Sequence, residues 1–427
     1  MEGVDVVRIV YPDLLGIDRA KDVLVEALPG VEEHGLAFCR AVYHTTPRGE
    51  TIPVPGGLDV GLPDIAVFPD LSTLKALPWE PGVAWCLGDA RHSDGSRVAE
   101  DPRAALREVS ARFAELGVVP VVGPELEYFL MDAEGRRYSD STGDVYTAGR
   151  RGDSDGHLLR ALRWTRDLGL GVLMGNHEYS GGQFEINLTH SEALDAADRA
   201  FRFKAAIKEI ARLDGLRATF MAKPFDDEGG SGFHVHLSMA SADGVNVFDG
   251  PASRYGLSEK ALYAIGGILA HAPAVAAFMN PTINSYKRFG PDTLAPWLVD
   301  WGLDNRSAML RVPPERGAGA RLELRLGDAS ANPYLGVAAV LAAAYLGMRD
   351  GVEPPQPLEG YGYDPGRSAV LPKNLTAALD ALEADAELVG VLGKDLVTSF
   401  VTYKRNEVER FERAVTDWEF REYAYHL

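Results

Sequence analysis

The sequence predicts an α+β fold in two parts: a small strand-rich domain over residues 1–97 and a large domain over residues 98–427, in which helices cover an antiparallel sheet. Three observations carry that prediction. Up to residue 97, short β-branched or apolar runs alternate with Pro/Gly-dense loops, the texture of strands joined by turns. After Asp101-Pro102, long runs with helical spacing alternate with short strands, the order expected of an α+β domain. Finally, 427 residues with 46% hydrophobic and 25% charged side chains suffice for two or three cores of roughly 150 residues each. The same figures exclude disordered, collagen-like and coiled-coil chains.

Residues 4–10 and 37–43 read as the first strands, residues 51–64 as a Pro/Gly-rich loop, and residues 64–69 and 83–87 as further strands. Asp101 is placed to cap a helix whose first position is Pro102, with helical spacing over 104–116. Further helical patterns occupy 156–168, 191–213, 258–278, 332–348, 374–382 and 393–415. The most apolar stretches, 264–279 and 336–348, fall short of the roughly 20 apolar residues of a membrane span and read as buried helices. Residues 1–20 carry charges throughout, unlike a signal peptide. Only two cysteines, Cys39 and Cys86, argue against a disulfide framework and for a cytoplasmic protein. A net charge of −19 argues against a nucleic-acid partner, and no membrane partner is expected.

Four strand-like segments share one feature. Residues 121–130 put Glu125 and Glu127 on one face; residues 183–189 do the same for Glu185 and Asn187. Residues 233–239 place His234, His236 and Ser238 together, and residues 321–326 place Arg321, Glu323 and Arg325 together. Each alone describes a half-wet strand. If the four faces converge, at least four carboxylates meet, and like charges that close need a cation. Oxygen-rich ligation with little imidazole suits Mg²⁺ or Mn²⁺ better than zinc. Carboxylate-held metal plus arginines is the equipment of phosphoryl transfer. The usual nucleotide loops, G-x-x-x-x-G-K-[ST] and the Rossmann fingerprint, are missing, so metals and arginines would have to hold ATP.

These segments resemble the glutamine synthetases and their γ-glutamyl-amine ligase relatives. The resemblance rests on G-P-E-L-E-Y-F-L at 123–130, N-H-E-Y-S-G-G-Q-F-E-I-N at 176–187 and F-M-A-K-P-F at 220–225. It continues in G-G-S-G-F-H-V-H-L-S at 229–238, N-P-T-I-N-S-Y-K-R-F at 280–289, D-N-R-S-A-M-L-R at 304–311 and R-L-E-L-R-L-G-D-A-S-A-N-P-Y-L at 321–335, with P-D-L-S-T-L-K-A-L-P-W-E-P-G at 69–82 in the N-terminal part. It implies a β-grasp-like N-terminal domain and a ring of subunits, expected as two stacked hexamers, with each site closed by a neighbour's N-terminal domain. It implies at least two divalent ions per site, one on Glu127, Glu178 and Glu185 and the other on Glu125, His234 and Glu323. Arg288 and the Gly230 backbone match the glutamate clamp, joined by Arg325. Arg306 and Arg325 match the groups on the transferred phosphoryl, Arg311 and Arg321 those near the other ATP phosphates, and His236 and Ser238 nucleoside contacts. Glu178, Arg306 and Arg325 are the catalytic assignments, Tyr146 and Leu294 the amine-pocket ones.

Two positions depart from the glutamine synthetase pattern. The flap after Arg288 reads F-G-P-D-T-L-A-P, with Leu294 where those enzymes carry a glutamate that binds ammonium. The N-terminal Asp-Gly-Ser-Ser latch is replaced by P-V-P-G-G-L-D-V-G-L-P-D at 53–64. Ammonium needs closely placed anions, whereas an alkylamine brings apolar surface worth about 0.8 kcal/mol per buried methylene. An organic amine arrives protonated, with a pKa near ~10 like lysine, and Glu178, Asp292, Asp59 and Asp64 are the candidate proton acceptors. The N-L-Y adenylylation segment of some bacterial relatives is missing, and so is the helix that usually precedes the first strand, so a trimmed start is expected. The sequence therefore favours an ATP-dependent ligase joining L-glutamate to a small organic amine. Its rivals are a glutamine synthetase using ammonia, a polyamine ligase, and a catalytically silent ring serving as nitrogen sensor or scaffold.

Overall fold

The N-terminal sheet is organised around one parallel pair, β1 (Val6–Pro12) beside β5 (Val83–Arg91). Antiparallel neighbours β2 (Asp18–Leu24), β3 (Leu36–Cys39) and β4 (Asp64–Ala76) complete a five-stranded sheet in the order β2-β1-β5-β4-β3, and helix α1 (Leu28–His34) packs against β4. The computed structural model describes residues 3–139, 145–290, 293, 295–425 and 427. β2 escapes sequence reading because D-R-A-K-D-V-L buries only Val23; its ladder to β1, not its own hydrophobicity, makes it a strand. The expected strand over 37–43 stops at Cys39. Arg40–His44 instead form a 3₁₀ turn that buries Ala41, Tyr43 and His44.

In the large part, β6 (Val119–Met131) is the spine of a nine-stranded sheet. On one side lie β8 (Gln183–Leu188) and then β7 (Val172–His177). On the other lie β11 (Phe233–Ala240), β14 (Leu322–Leu324), β13 (Leu310–Val312) and β12 (Trp301–Leu303). The short strands β9 (Ser191–Glu192) and β10 (Arg217–Thr219) pair with the remaining stretches of β6. All pairings here are antiparallel except β12 with β13. β14 is shorter than the sequence suggests, so Arg321 and Arg325 flank it. β7 was not anticipated: its Leu173 and Met174 are exposed and a register shift interrupts its pairing.

Helices α2 (Pro102–Ala111), α3 (His157–Asp167), α4 (Ala193–Leu213), α5 (Glu259–Met279) and α6 (Pro333–Asp350) form the layer behind the sheet, followed by α7 (Leu375–Ala384), α8 (Ala386–Leu392), α9 (Lys394–Glu412) and α10 (Asp417–Tyr423). The Asp101 carboxylate accepts from the Arg103 and Ala104 amides as a cap should, but α2 gives way to a 3₁₀ turn over Arg112–Leu116. α5 is long and apolar enough to cross a membrane, which corrects the sequence reading, yet it is mostly buried against its neighbours. It packs on α6 through two glycines. A Cβ on Gly267 would lie 2.3 Å from the Ala343 carbonyl oxygen and 2.6 Å from the Gly347 Cα, and one on Gly347 would lie 2.2 Å from the Tyr263 oxygen. The helices can touch this closely only where neither residue has a side chain.

One face of the N-terminal sheet packs around its own cluster of Val7, Ile9, Phe38 and Val67, and the other joins the large core. Val10, Leu14, Trp85 and Leu87 belong to the same apolar cluster as Leu106 and Phe113. Across the seam, the fully buried Arg103 guanidinium bonds Asp70 at 2.8 Å, Asp89 at 2.7 Å and Asp198 at 2.8 Å, and the Tyr334 hydroxyl donates to Asp198 at 2.7 Å. The Asn332 amide, capping α6, donates to the Asp13 and Leu14 carbonyls at 3.1 and 3.3 Å. Arg103→Ala would leave the buried Asp198 with the Tyr334 hydroxyl but no guanidinium bonded to it, with an expected loss of about 3 kcal/mol. Gly267→Ala forces α5 from α6 and is expected to cost about 1–3 kcal/mol. Urea unfolding of each variant beside the wild type checks both; unchanged midpoints would contradict the reading of the seam and of the helix crossing.

Candidate active site

The strand registers decide which side chains meet. Glu127 stands opposite Glu185 and Glu125 opposite Asn187 across β6 and β8. His234 stands opposite Glu125 across β6 and β11, and Glu323 opposite both His236 on β11 and Arg311 on β13. The alternate residues Leu126, Tyr128, Phe184, Ile186, Phe233, Val235, Leu322 and Leu324 point into the core and are buried. One face of the sheet is therefore oil, and the other carries ionisable groups.

That second face lines a cavity of about 1120 Å³. Around it stand Glu125, Glu127, Glu178, Glu185, Glu323, His234, His236, Ser238, Gly230 and Tyr146, with Arg288, Arg306, Arg311, Arg321 and Arg325. Of the residues singled out in sequence, Leu294 and Asp292 lie outside the described residues. Asp59 and Asp64 belong to the N-terminal part and do not line the cavity.

Each acid is held by specific donors. Gln183 Nε2 and the Gly232 amide both donate to Glu127 Oε2 at 2.8 Å. Asn187 Nδ2 donates to Glu125 Oε2 at 2.7 Å and to Glu185 Oε1 at 3.2 Å, and Asn176 Nδ2 to Glu178 Oε1 at 2.8 Å. His234 Nδ1 lies 2.7 Å from Glu125 Oε1. Glu323 is gripped from both sides at 2.6 Å, by Arg311 Nη1 and Arg325 Nη1. Arg325 Nε also bonds the Arg306 carbonyl at 3.1 Å, which ties the exposed Arg306 loop to the sheet. Arg288 is buried, with Nη1 on the Leu326 carbonyl at 3.2 Å. A Cβ on Gly230 would sit 2.7 Å from Arg288 Cγ, so the arginine stem reaches the cavity only because residue 230 is glycine.

The electrostatics divide the acids into two sets. For Glu323 burial acts to raise the pKa, but Arg325, His234 and His236 overcome it and hold the carboxyl down at about 2. Glu125 is likewise held well below its ordinary range, burial being outweighed by His234 and His236. Glu185, in contrast, is pushed up to about 10 by burial and then by the charges of Glu125, Glu127 and Glu178. Glu178 is pushed up to about 7 by burial and Glu127. No guanidinium or imidazole bonds Glu178 or Glu185 among the described residues, and a divalent cation with an appetite for oxygen fits beside them. On the other side, ligand atoms of Glu125, His236 and Glu323 lie within 4.8 Å of one another. His236 is the imidazole of that group, and His234, the histidine expected on the metal, lies beside it against Glu125. Sequence reasoning passed over Gln183, although its parity matches Glu185, because an amide carries no ionic signature.

The comparisons with known proteins agree with this geometry. A family profile described as the glutamine synthetase catalytic domain matches residues 99–423. A glutamine synthetase of Pyrococcus horikoshii is 36% identical over 443 residues, covering 98% of this chain and 95% of the relative. One of Halobacterium salinarum is 33% identical over 443 residues, covering 99% and 94%. Among solved structures, one described as a GmaS–ADP complex superposes with a TM-score of 0.89 at 36% identity, covering 99% of this chain and 97% of that one. Another, described as a novel glutamine synthase homolog, gives 0.87 at 27% identity, covering 99% of each.

At neutral pH a metal-free site favours a protonated Glu185 and a partly protonated Glu178, because burial and the neighbouring carboxylates raise both. Adding Mg²⁺ or Mn²⁺ is expected to release about one to two protons per site, read by titration calorimetry in two buffers of different ionisation enthalpy. These carboxyls titrate higher folded than unfolded, so they bind more protons folded, and their contribution to the stability of the metal-free protein is lost as pH rises from about 4.5 to about 10. The metal-loaded protein is spared that loss. Equal heats in both buffers, with parallel Tm profiles, would remove the metal assignment from Glu178 and Glu185.

Proposed function

Because the chain belongs to the glutamine synthetase family, an ATP- and divalent-metal-dependent group of glutamate ligases, we propose that its nucleophile is a small organic amine in place of ammonia. The observation that carries this reading is Leu294, an apolar side chain where the family resemblance calls for the flap acid that binds ammonium. Support comes from Leu173 and Met174, exposed apolar residues of β7 on the wall of the same cavity, and from Tyr146, whose hydroxyl titrates higher through burial and the nearby Glu178. The name of the GmaS neighbour, gamma-glutamylmethylamide synthetase, assigns an N-alkylamide product to that protein. The ammonia reading keeps equal standing on identity alone, since the Pyrococcus glutamine synthetase is also 36% identical.

In this reading Arg288, with the Gly230 backbone beside it, anchors the glutamate α-carboxylate and leaves the γ-carboxylate facing the acids of β6 and β8. Glu127, Glu178 and Glu185 would hold one divalent ion and Glu125, His234 and Glu323 a second. Mg²⁺ or Mn²⁺ there supplies the charge that lets two anions approach. Arg306 and Arg325 neutralise the phosphoryl group as it passes from ATP to the γ-carboxylate, while Arg311 and Arg321 hold the phosphates left behind. His236 and Ser238 take the nucleoside. The product of that step is an acyl phosphate, a better electrophile than a carboxylate. The amine, arriving as an ammonium ion, gives one proton to Glu178; its nitrogen then bonds to the acyl carbon, the C–O bond to phosphate breaks, and the departing phosphate takes the second proton from nitrogen. We place the domain boundary at residues 97/98 and the protein in the cytoplasm, as two stacked hexamers whose N-terminal domains close neighbouring sites.

Phosphate release with glutamate, ATP and Mg²⁺, comparing ammonium with alkyl-, hydroxyalkyl-, aryl- and polyamines, tests the reading, with mass spectrometry of the product. Each methylene the pocket buries is worth about 0.8 kcal/mol, so kcat/KM is expected to climb about fourfold per carbon until the pocket is full. Efficient glutamine formation without such a climb would favour ammonia, and no turnover with any amine would favour the silent ring. Glu323→Ala is expected to abolish ATP-dependent turnover while the oligomer stays assembled; retained activity would defeat its assignment to the metal site.

A further inference from the structure

Gln183 opens β8 and is 3% exposed, yet its side chain joins segments that lie far apart in the chain. Nε2 donates to Glu127 Oε2 on β6 at 2.8 Å and to the Gly230 carbonyl, on the turn before β11, at 3.1 Å. Oε1 accepts from the Ser180 amide at 3.4 Å. The backbone adds two more bonds: the Gln183 carbonyl accepts from the Glu178 amide at 2.9 Å, and the Gln183 amide donates to the Ser180 carbonyl at 3.0 Å. A carboxamide offers two N–H groups and one oxygen, so two acceptors and one donor seat it in a single orientation.

These bonds fix what Glu127 can offer. Its Oε2 accepts twice, from Gln183 and from the Gly232 amide at 2.8 Å, whereas Oε1 accepts no hydrogen bond among the described residues. The carboxylate is thus gripped by one oxygen, and the other is left for a cation. The second N–H of Gln183 holds the Gly230 turn, where the Gly229 amide also donates to Ser180 Oγ at 2.9 Å. That turn is tightly seated: a Cβ on Gly230 would lie 2.6 Å from the Ala222 carbonyl oxygen and 2.9 Å from Arg288 Cδ. One amide therefore bonds both an acid of the metal set and the turn that packs on Arg288.

We propose that Gln183 is a positioning residue that sets the affinity for the divalent ion and for glutamate together, acting through Glu127 and the Gly230 turn rather than on the reacting atoms. The inference rests on placing an ion on Glu127 and glutamate beside Gly230, and holds whichever nucleophile the cavity takes. The side chains that hold Glu125 and Glu323 make no bond to Gln183, so the nucleotide side does not share the dependence.

Gln183→Met keeps the length of the side chain and removes both N–H groups. Mn²⁺ binding to the full chain without nucleotide, followed by the EPR signal of free Mn²⁺, is expected to weaken about 10–100-fold, the usual effect of losing a group that orients a ligating carboxylate. Calorimetry at saturating Mn²⁺ should show glutamate binding about tenfold weaker, the scale of one hydrogen bond, with ADP affinity unchanged. Gln183→Asn, which draws the amide back by one methylene, should give the same pattern and stands in if the methionine variant fails to fold. Unchanged Mn²⁺ or glutamate affinity would overturn the proposal. So would an equal loss of ADP affinity, which would make Gln183 a general support of the fold. Glu127→Gln, run beside them, separates the two levels. Mn²⁺ binding that survives Glu127→Gln refutes the metal assignment itself, whereas binding lost there but kept in Gln183→Met refutes only the role of Gln183.

Discussion

Six glutamates line one cavity, and the five crowded together at Glu125, Glu127, Glu178, Glu185 and Glu323 cannot all be ionised unless positive charge is brought among them. Much of the site's architecture answers that constraint. Glu323 receives two arginines and Glu125 two histidines, and both carboxyls stay well below their ordinary range. Glu178 and Glu185 receive only amide partners among the described residues, and both are forced upward. The deficit is local, on the side where glutamate is proposed to bind. A dication there stabilises ionised carboxylates and gives a substrate anion somewhere to approach.

Holding such repelling groups at close quarters takes a stiff support. β6 supplies it by being paired along both edges, so its alternating side chains cannot turn away from one another. Behind it, α5 and α6 pack backbone to backbone at Gly267 and Gly347 and fill the core with small side chains. The Arg103 cluster joins this body to the N-terminal sheet, so the loop at 53–64 sits on a fixed base. Stability far from the cavity is in this sense part of its chemistry: small shifts in register would separate Glu127 from Glu185.

A groove lined by residues 303–306 and 355–360 meets the catalytic cavity at Arg306 and Arg311. Arg311 has its guanidinium shared between Glu323, inside the catalytic cavity, and Asp304, a residue held at a positive φ of 46°. Asp304 and Asn305 belong to the wall of the groove. Any ligand that favours one arrangement of this loop over another would bias the arginines on the phosphoryl side, which is the physical content of a regulatory coupling.

The alternating face of 121–130 and its three counterparts was legible in sequence because a strand points successive side chains to opposite sides, so parity alone sorts them. The family was legible because its motifs are contiguous, and the choice of Mg²⁺ or Mn²⁺ followed from ligand chemistry. What parity does not carry is which neighbour each group meets. The ready cluster of Glu125 and Glu323 with His236, the hold of Gln183 on Glu127, and the strands β2 and β7 depend on ladders between segments far apart in the chain. Asp300 reads as an ordinary acid in V-D-W-G; only the fold buries it, satisfies one oxygen and leaves the other sealed in without a partner among the described residues. Local chemistry is written residue by residue, whereas burial and partnership are properties of the packed chain, and the tertiary structure decides them.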